Sequence, residues 1–198
     1  MSRNAIEAID NYVSDMLALE EHIAEALGAQ MHELSNKHAV LVAEISRCRS
    51  IVLDHIQALR KVRKVGEPHV GGMIAVAIKR AGALAAGIGA GAVELLRMER
   101  APKALRDDYT AACLAAMGYG MLYATSVALD DEIVGFLAER HLRDYVKITM
   151  TLYRLMPSIV LDSLREGGLP VRLETLPEIG KALHSVWERS PEPVPQAF

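Results

Sequence analysis

Three amphipathic stretches of the chain each place one polar residue in line with the apolar residues that would face a protein core. Glu20, His55 and His141 occupy these positions, each one helical turn after an apolar residue. Burying such side chains is costly unless they are paired or ligated. We therefore expect the three residues to converge in the interior and to satisfy one another or a bound group.

A carboxylate and two imidazoles from separate helices form a ligand set that suits a divalent metal ion. Imidazole binds iron, zinc and manganese, and a carboxylate adds charge and an oxygen ligand. The first interpretation of Glu20, His55 and His141 is therefore a metal site for iron, manganese or zinc.

The same residues are equally suited to a structural hydrogen-bond network that binds nothing. Tyr119 and Tyr123, together with Tyr109, have spacings that place them on one helix face, and their hydroxyls could bond to the buried polar groups. Asp144 follows His141 by three residues, close enough on a helix to reach it. Tyr119, Tyr123 and Asp144 are thus candidate binding residues beside the metal ligands.

The sequence lacks the pattern of a two-iron carboxylate centre, which needs a Glu-x-x-His pair on two of four helices. No such pair occurs in the chain, and the nearest match, His141-x-x-Asp144, has the reverse order. A two-metal centre would require Asp15, Glu44 or Asp108 to face inward against the apolar register. The residues therefore leave open whether the chain is an enzyme.

The composition and periodicity that must position these residues are helical. Of 198 residues, 51% are hydrophobic but only 5% are aromatic, and alternating β-type patterns are scarce. The predicted class is all-α. The first three predicted helices span 6–34, residue 36 to Gly66 and Pro68, and the Gly- and Ala-rich stretch 69–97. The next two run from Pro102 to Leu129, and from a cap at Asp130 to Gly167 with a kink or restart at Pro157. A last helix is predicted over 175–187.

Two helical hairpins joined by a long crossover describe a four-helix bundle with ferritin-like topology. The glycine- and alanine-rich stretch would be the crossover helix, and the last helix a short closing one. Residues 1–189 would form a single domain, with a flexible tail over 190–198. In the helix after Pro102 the predicted inward residues are Leu105, Ala112, Ala116 and Met121, with Cys113 also in the core.

Charge and cysteine content narrow the partners and the compartment. The net charge is −3 with no basic stripe, which disfavours nucleic acid. Two isolated cysteines and an early charged N-terminus favour a reducing cytoplasm. Residues 109–129 carry no charge and could cross a bilayer, but a buried central helix explains them more simply, so a membrane is disfavoured. Apolar surface left by long amphipathic helices predicts a homodimer.

Four phrases of the chain resemble the bacterial ferritin-like stress-response proteins of the YciE/YciF group. They are YVSDMLALEEHIAEAL, DHIQAL, KALRDDYTAACLAAMGYGMLYATSVAL and FLAERHLRDY, spread over residues 10 to 155. The resemblance implies a ferritin-like bundle that is often dimeric, is linked to stress responses and is proposed to bind metal. It matches the family's inward carboxylate to Glu20 and its inward histidine to His141, whereas its second-helix His-x-x-Glu pair becomes His55 followed by Ala58.

Three functional hypotheses follow. The first is a ferritin-like, metal-binding protein of bacterial stress response that uses Glu20, His55 and His141. The second is a non-catalytic helical scaffold or dimeric interaction protein that has lost the metal site. The third is a carrier whose tyrosine-lined, alanine-rich centre holds an apolar small molecule.

Overall fold

The structure, a computed structural model, describes residues 3–34, 38–63 and 100–188, and these ranges are helical with no strand. The helices are α1 (Arg3–Leu34), α2 (Ala39–Val62), α3 (Arg100–Ala128), α4 (Glu132–Glu166) and α5 (Leu176–Glu188), with a 3-10 turn at Leu173–Thr175 before α5. The predicted all-α class is confirmed. The predicted crossover helix and the tail over 190–198 lie outside the described residues, and the single-domain boundary stays a prediction.

The first two helices pair as an antiparallel hairpin. Arg49 of α2 donates a hydrogen bond to the carbonyl oxygen of Ala24 in α1 at 3.1 Å. Further along α2, Arg60 bonds to Glu21 at 2.7 Å. Residue numbers therefore fall along α1 as they rise along α2, which is the geometry of the predicted hairpin.

The helices α3 and α4 form a second antiparallel pair. The rings of Tyr109 and Tyr153 lie 6.2 Å apart, and those of Tyr119 and His141 lie 5.0 Å apart. The order of these contacts again runs in opposite senses along the two helices. Two packed helical hairpins are thus present.

The two hairpins join through α1 and α3, which also run antiparallel. Gly118 of α3 faces Met16 of α1, and Asp108 bonds to Gln30 further along α1. Because α1 opposes both α2 and α3, the latter two run in the same direction. The end of α2 and the start of α3 therefore lie at opposite ends of the bundle. This order agrees with the predicted topology, and the ferritin-like assignment itself stays a prediction.

Several helix ends differ from the sequence prediction. Asp131, not Asp130, caps α4, since its carboxylate accepts from the backbone N–H of Val134 at 3.1 Å. Asp130 instead adopts a left-handed backbone with φ 57° in the connecting turn. The helix does not restart at Pro157 but continues to Glu166.

The buried face of α3 is not the predicted one. Met121 is 42% exposed and Cys113 is also exposed, so the prediction that these residues face the core is wrong. The face that is buried repeats every three or four residues, and it includes two polar positions, Asp108 and Ser126. Its members are Ala101, Leu105, Asp108, Ala112, Ala115, Tyr119, Leu122 and Ser126.

The outward face of α3 is apolar as well. By length and composition Ala101–Ala128 could span a membrane, with a mean hydropathy of 1.3 in its most apolar window, of which 33% is buried in the bundle. Met117 is 67% exposed and Val127 is 56% exposed on this face. A buried helix of a bundle passes the same test of length and composition, so the predicted absence of a membrane partner stays a prediction.

Candidate metal centre

The first helix delivers Glu20 to the centre of the bundle. The apolar residues of its stripe are buried, and Glu20, which falls in the same register, has no exposed surface. These stripe residues are Ile9, Val13, Met16, Ile23 and Leu27. The inward position predicted for Glu20 is confirmed.

The Glu20 carboxylate accepts hydrogen bonds from three other helices. Its Oε1 accepts from the Tyr119 hydroxyl at 2.5 Å and lies 3.0 Å from Nδ1 of His55. Its Oε2 accepts from the Tyr145 hydroxyl at 2.6 Å. Burial, and then the Glu20 charge, raise the pKa of both tyrosines well above 10, so the phenols stay protonated as donors.

The two predicted histidines lie against each other beside this carboxylate. The rings of His55 and His141 stack with centroids 3.8 Å apart and planes 17° from parallel. Tyr119 packs its ring edge-on against both. Both histidines are 3% exposed, so the inward positions predicted for them are confirmed.

The electrostatics of His141 favour the neutral imidazole. Burial, then the proximity of His55 and Arg140, lower its pKa from 6.5 to about 3. Its Nδ1 is buried without a hydrogen-bond partner among the described residues. A neutral imidazole with an unused ring nitrogen is the form that binds a metal ion.

The three residues can supply one metal ligand atom each. One ring nitrogen of each histidine and a carboxylate oxygen of Glu20 all lie within 4.8 Å of one another. Among the residues that the structure describes, Glu20, His55 and His141 form the cluster of metal-ligating side chains that could hold an ion. Two histidines and one carboxylate also leave open coordination positions, as in mononuclear iron sites.

The structure corrects two of the binding residues. Asp144, expected beside His141, lies beside His55, with its Oδ2 3.5 Å from Nε2 of His55; that buried ring nitrogen has no hydrogen-bond partner among the described residues. Tyr123 is 38% exposed and does not share the buried face of Tyr119, so the shared-face prediction is wrong for it. The physical reason is the true register of α3, in which Tyr119 and Leu122 point inward.

Asp108 is a buried acid that the sequence reasoning named only as an exception. It is 7% exposed, and burial raises the pKa of its carboxyl from 3.8 to about 7, while a hydrogen bond from Gln30 opposes the rise and the charge of Asp107 adds to it. Its spacing is the one available signal, since Asp108 lies three residues after Leu105 and four before Ala112, but the apolar outer face of α3 leaves that stripe without contrast. Asp15 and Glu44, the other exceptions considered, are partly exposed.

Comparisons with known proteins identify no family for this chain. No family model, no curated protein and no solved structure matches the chain. The resemblance to the YciE/YciF group therefore stays a prediction, and the shown properties are an all-helical bundle and a buried Glu20, His55 and His141 cluster that could hold a metal ion.

Proposed function

We propose that this helical bundle binds one divalent transition metal ion through Glu20, His55 and His141. The observation that carries the proposal is the buried cluster, in which one ring nitrogen of each histidine and a carboxylate oxygen of Glu20 lie within 4.8 Å of one another. The Nδ1 of the neutral His141 is in addition buried without a hydrogen-bond partner among the described residues. A buried polar atom without a partner is uncommon in folded proteins and needs an explanation. A metal ion supplies one.

Each residue has a distinct role in this proposal. Glu20 brings the negative charge that offsets a dication, and the histidines supply neutral nitrogen ligands. Tyr119 and Tyr145 donate to Glu20 at 2.5 and 2.6 Å and so fix the orientation of its carboxylate. Such outer partners of a ligand orient it and raise metal affinity.

The test is elemental analysis of protein purified without chelators and without a metal-affinity tag, after equilibration with iron, manganese or zinc. The wild-type protein should carry about one ion per chain, and His141→Gln should lower the metal content to background while circular dichroism stays helical. His22→Gln, which removes an exposed imidazole of α1, is the matched control and should keep the ion. Background metal in the wild-type protein for all three ions would overturn the proposal.

A second candidate is a structural network without metal, which the hydrogen bonds of Glu20 favour. Glu20 already has three polar neighbours, and the rings of His55 and His141 lie in nearly parallel planes 3.8 Å apart, so their in-plane lone pairs do not meet at one point. One ring must turn to bind an ion. In a purely structural network, Glu20→Gln changes stability little and metal content not at all.

We also propose a homodimer, on the basis of exposed apolar side chains in the second hairpin. Met117 and Val127 of α3 and Ile133 and Phe136 of α4 are each more than half exposed. Such a surface supports association of two copies. Light scattering should give a dimer for the wild-type protein and a monomer for Met117→Glu, and a monomeric wild-type protein at micromolar concentration would contradict the proposal.

The role in bacterial stress response is proposed on the resemblance alone. It predicts that a strain lacking the chain survives oxidative or metal stress less well, and that the Glu20→Gln variant does not restore survival. Equal survival of the deleted and parent strains would remove this proposal without affecting the metal site.

A further inference from the structure

A groove of about 480 Å³ lies between α1 and α3, with its floor formed by α2 and α4. Its walls are mostly aliphatic, and along α1 it extends from Leu19 to Gln30. The eleven residue steps from Leu19 to Gln30 correspond to a length of roughly 16 Å. The size is that of a small-molecule site, which typically occupies about 300–1,000 Å³.

The groove exists because small side chains line both walls. Ala26 of α1 and Ala111 and Ala112 of α3 face it, so the two helices leave space where larger residues would fill it. Near the metal centre the same helices touch closely, since a Cβ on Gly118 would lie 2.5 Å from the sulfur of Met16. The opening is therefore confined to one end of the pair.

One end of the groove carries hydrogen-bond acceptors that lack donors. Asp108 and Gln30 both line it, and Gln30 bonds to the Asp108 carboxylate. Among the residues that the structure describes, Oδ2 of Asp108 and Oε1 of Gln30 are buried with no partner. The matching ligand group is therefore one that donates hydrogen bonds.

The charge around Asp108 favours a cation. On α3, Arg106 is bonded to Asp107 at 2.8 Å, so this pair cancels and leaves the Asp108 charge unbalanced. His22 of α1 and Cys48 of α2 also line the groove, with the exposed His22 at its mouth. Burial, and then the charge of Glu44, raise the pKa of the Cys48 thiol to about 12. From α4 it receives Tyr145, a protonated phenol. No lysine lines the groove in the described residues.

We propose that this groove binds a small apolar amine, whose protonated nitrogen donates to Asp108 and Gln30 and whose hydrocarbon body lies along α1 and α3. The site is separate from the metal ligands and does not depend on a bound ion. Charge-assisted hydrogen bonds to a buried carboxylate give the head group its selectivity, and aliphatic burial gives the body its affinity.

Octylamine, octanol and octanoate test the proposal, because they share one hydrocarbon tail and differ in the head group. Isothermal titration of the metal-free protein at pH 8 should show saturable binding of octylamine at about one per chain, roughly 10-fold or more tighter than octanol, with octanoate weakest. Between pH 8 and pH 6 octylamine should bind less tightly as Asp108 takes up a proton. The His22→Gln variant separates any contribution of the imidazole at the mouth to this change.

Asp108→Asn and Asp107→Asn remove the same charge at neighbouring positions and form a matched pair. Asp108→Asn should abolish the preference for octylamine over octanol, and Asp107→Asn should keep it. Ala111→Leu should fill the groove and weaken all three ligands about 10-fold, whereas Ala124→Leu on the exposed face of α3 should not. No saturable octylamine binding, equal binding of the three ligands, or an unchanged preference in Asp108→Asn would each overturn the proposal.

Discussion

Among the residues that the structure describes, two carboxylates are buried, Glu20 and Asp108, and their surroundings are opposite. Glu20 receives two phenol hydroxyls at 2.5 and 2.6 Å and lies 3.0 Å from an imidazole nitrogen. Asp108 has the Gln30 amide and an oxygen without a partner. The first acid holds a cluster of four helices together, whereas the second faces a groove.

This difference shows how a helical bundle can use one residue type for structure and for binding. A buried acid with donors around it costs little and fixes the helices in register, and the same acid without donors is a source of instability that a ligand can relieve. Both acids occupy an inward position on the buried stripe of their helix. What differs is the neighbours: two tyrosines and a histidine bond to Glu20, whereas Asp108 has the Gln30 amide and lines a groove whose walls include small alanines.

Removing the hydrogen-bond acceptor at Glu20 should have the largest effect on stability. Glu20→Ala leaves the buried hydroxyls of Tyr119 and Tyr145 and the Nδ1 of His55 without their acceptor, and it opens a cavity. We expect the free energy of unfolding to fall by about 3–5 kcal/mol in urea titration. Glu20→Gln keeps the volume and an acceptor oxygen and should lose about 1 kcal/mol. Equal losses in the two variants would contradict this expectation, because neither the volume nor the acceptor oxygen that glutamine keeps would then contribute to stability.

Asp108→Asn should change the free energy of unfolding in the opposite direction. The pKa of Asp108 is raised by burial from 3.8 to about 7, so the folded chain keeps a proton that the unfolded chain releases in this range. Stability is therefore lost as pH rises from about 4 to about 7, by up to about 4 kcal/mol. The variant removes this loss and should be more stable than the wild-type protein at pH 8, with little difference at pH 4.

The pH profile of the same variant sharpens the comparison, because His141 acts in the reverse direction. Its pKa is lowered from 6.5 to about 3, mainly by burial, so its contribution is lost as pH falls below 6.5. In the wild-type protein the two groups oppose each other between pH 4 and 6.5. In Asp108→Asn, stability should rise with pH across that window. A profile of Asp108→Asn that falls with pH would contradict the lowered pKa of His141, and a profile identical to that of the wild-type protein would contradict the raised pKa of Asp108.

The close approach of α1 and α3 near the metal centre can be tested with one methyl group. Gly118→Ala places a Cβ 2.5 Å from the sulfur of the buried Met16 and should cost about 1–3 kcal/mol. Gly120→Ala meets nothing within 4 Å and should instead stabilise the helix by up to about 1 kcal/mol. Thermal unfolding of the two variants measures the difference. A stabilised Gly118→Ala would mean that the helices are not closely packed at the metal centre.

The sequence predicted the ligand cluster well because its helices carry strong stripes. Met16 and Ile23 around Glu20, and Val52 and Leu59 around His55, leave one possible inward face, so the position of the polar residue follows. The convergence of Glu20, His55 and His141 depended on how the helices pack in the bundle, since Glu20 lies near the middle of α1 whereas His141 lies in the first third of α4.

The stripe of α3 could not be identified from hydrophobicity in the same way. This helix is apolar on both faces, with Met117 exposed and the small Ala115 buried, so no contrast marks the core side. The polar residue Asp108 then looked like a surface position, and Tyr123 like a core one. Tertiary packing against Met16 and Gln30, which the sequence does not display, selects the face.

The smallest expected effect concerns Asp144, the partly exposed acid that joins the cluster to solvent. Its Oδ2 lies 3.5 Å from Nε2 of His55 and its Oδ1 bonds to Lys147 at 3.3 Å. Because the carboxylate is 27% exposed, Asp144→Asn should change the free energy of unfolding by less than about 1 kcal/mol. Asp162→Asn is a matched control, since Asp162 also lies on α4 and pairs with a basic residue three positions on, Arg165.

The metal affinity separates the two interpretations of the cluster in this variant. If His55 is a ligand, the Asp144 carboxylate orients its ring, and Asp144→Asn should weaken metal binding by about 10-fold while Asp162→Asn leaves it unchanged. Competition with a chelator of known affinity measures the change. An unaltered affinity in a protein that does bind metal would place His55 in the hydrogen-bond network rather than on the ion. Among the described residues Asp144 is the acid beside Nε2 of His55, and its loss should lower the basicity of a ligating His55.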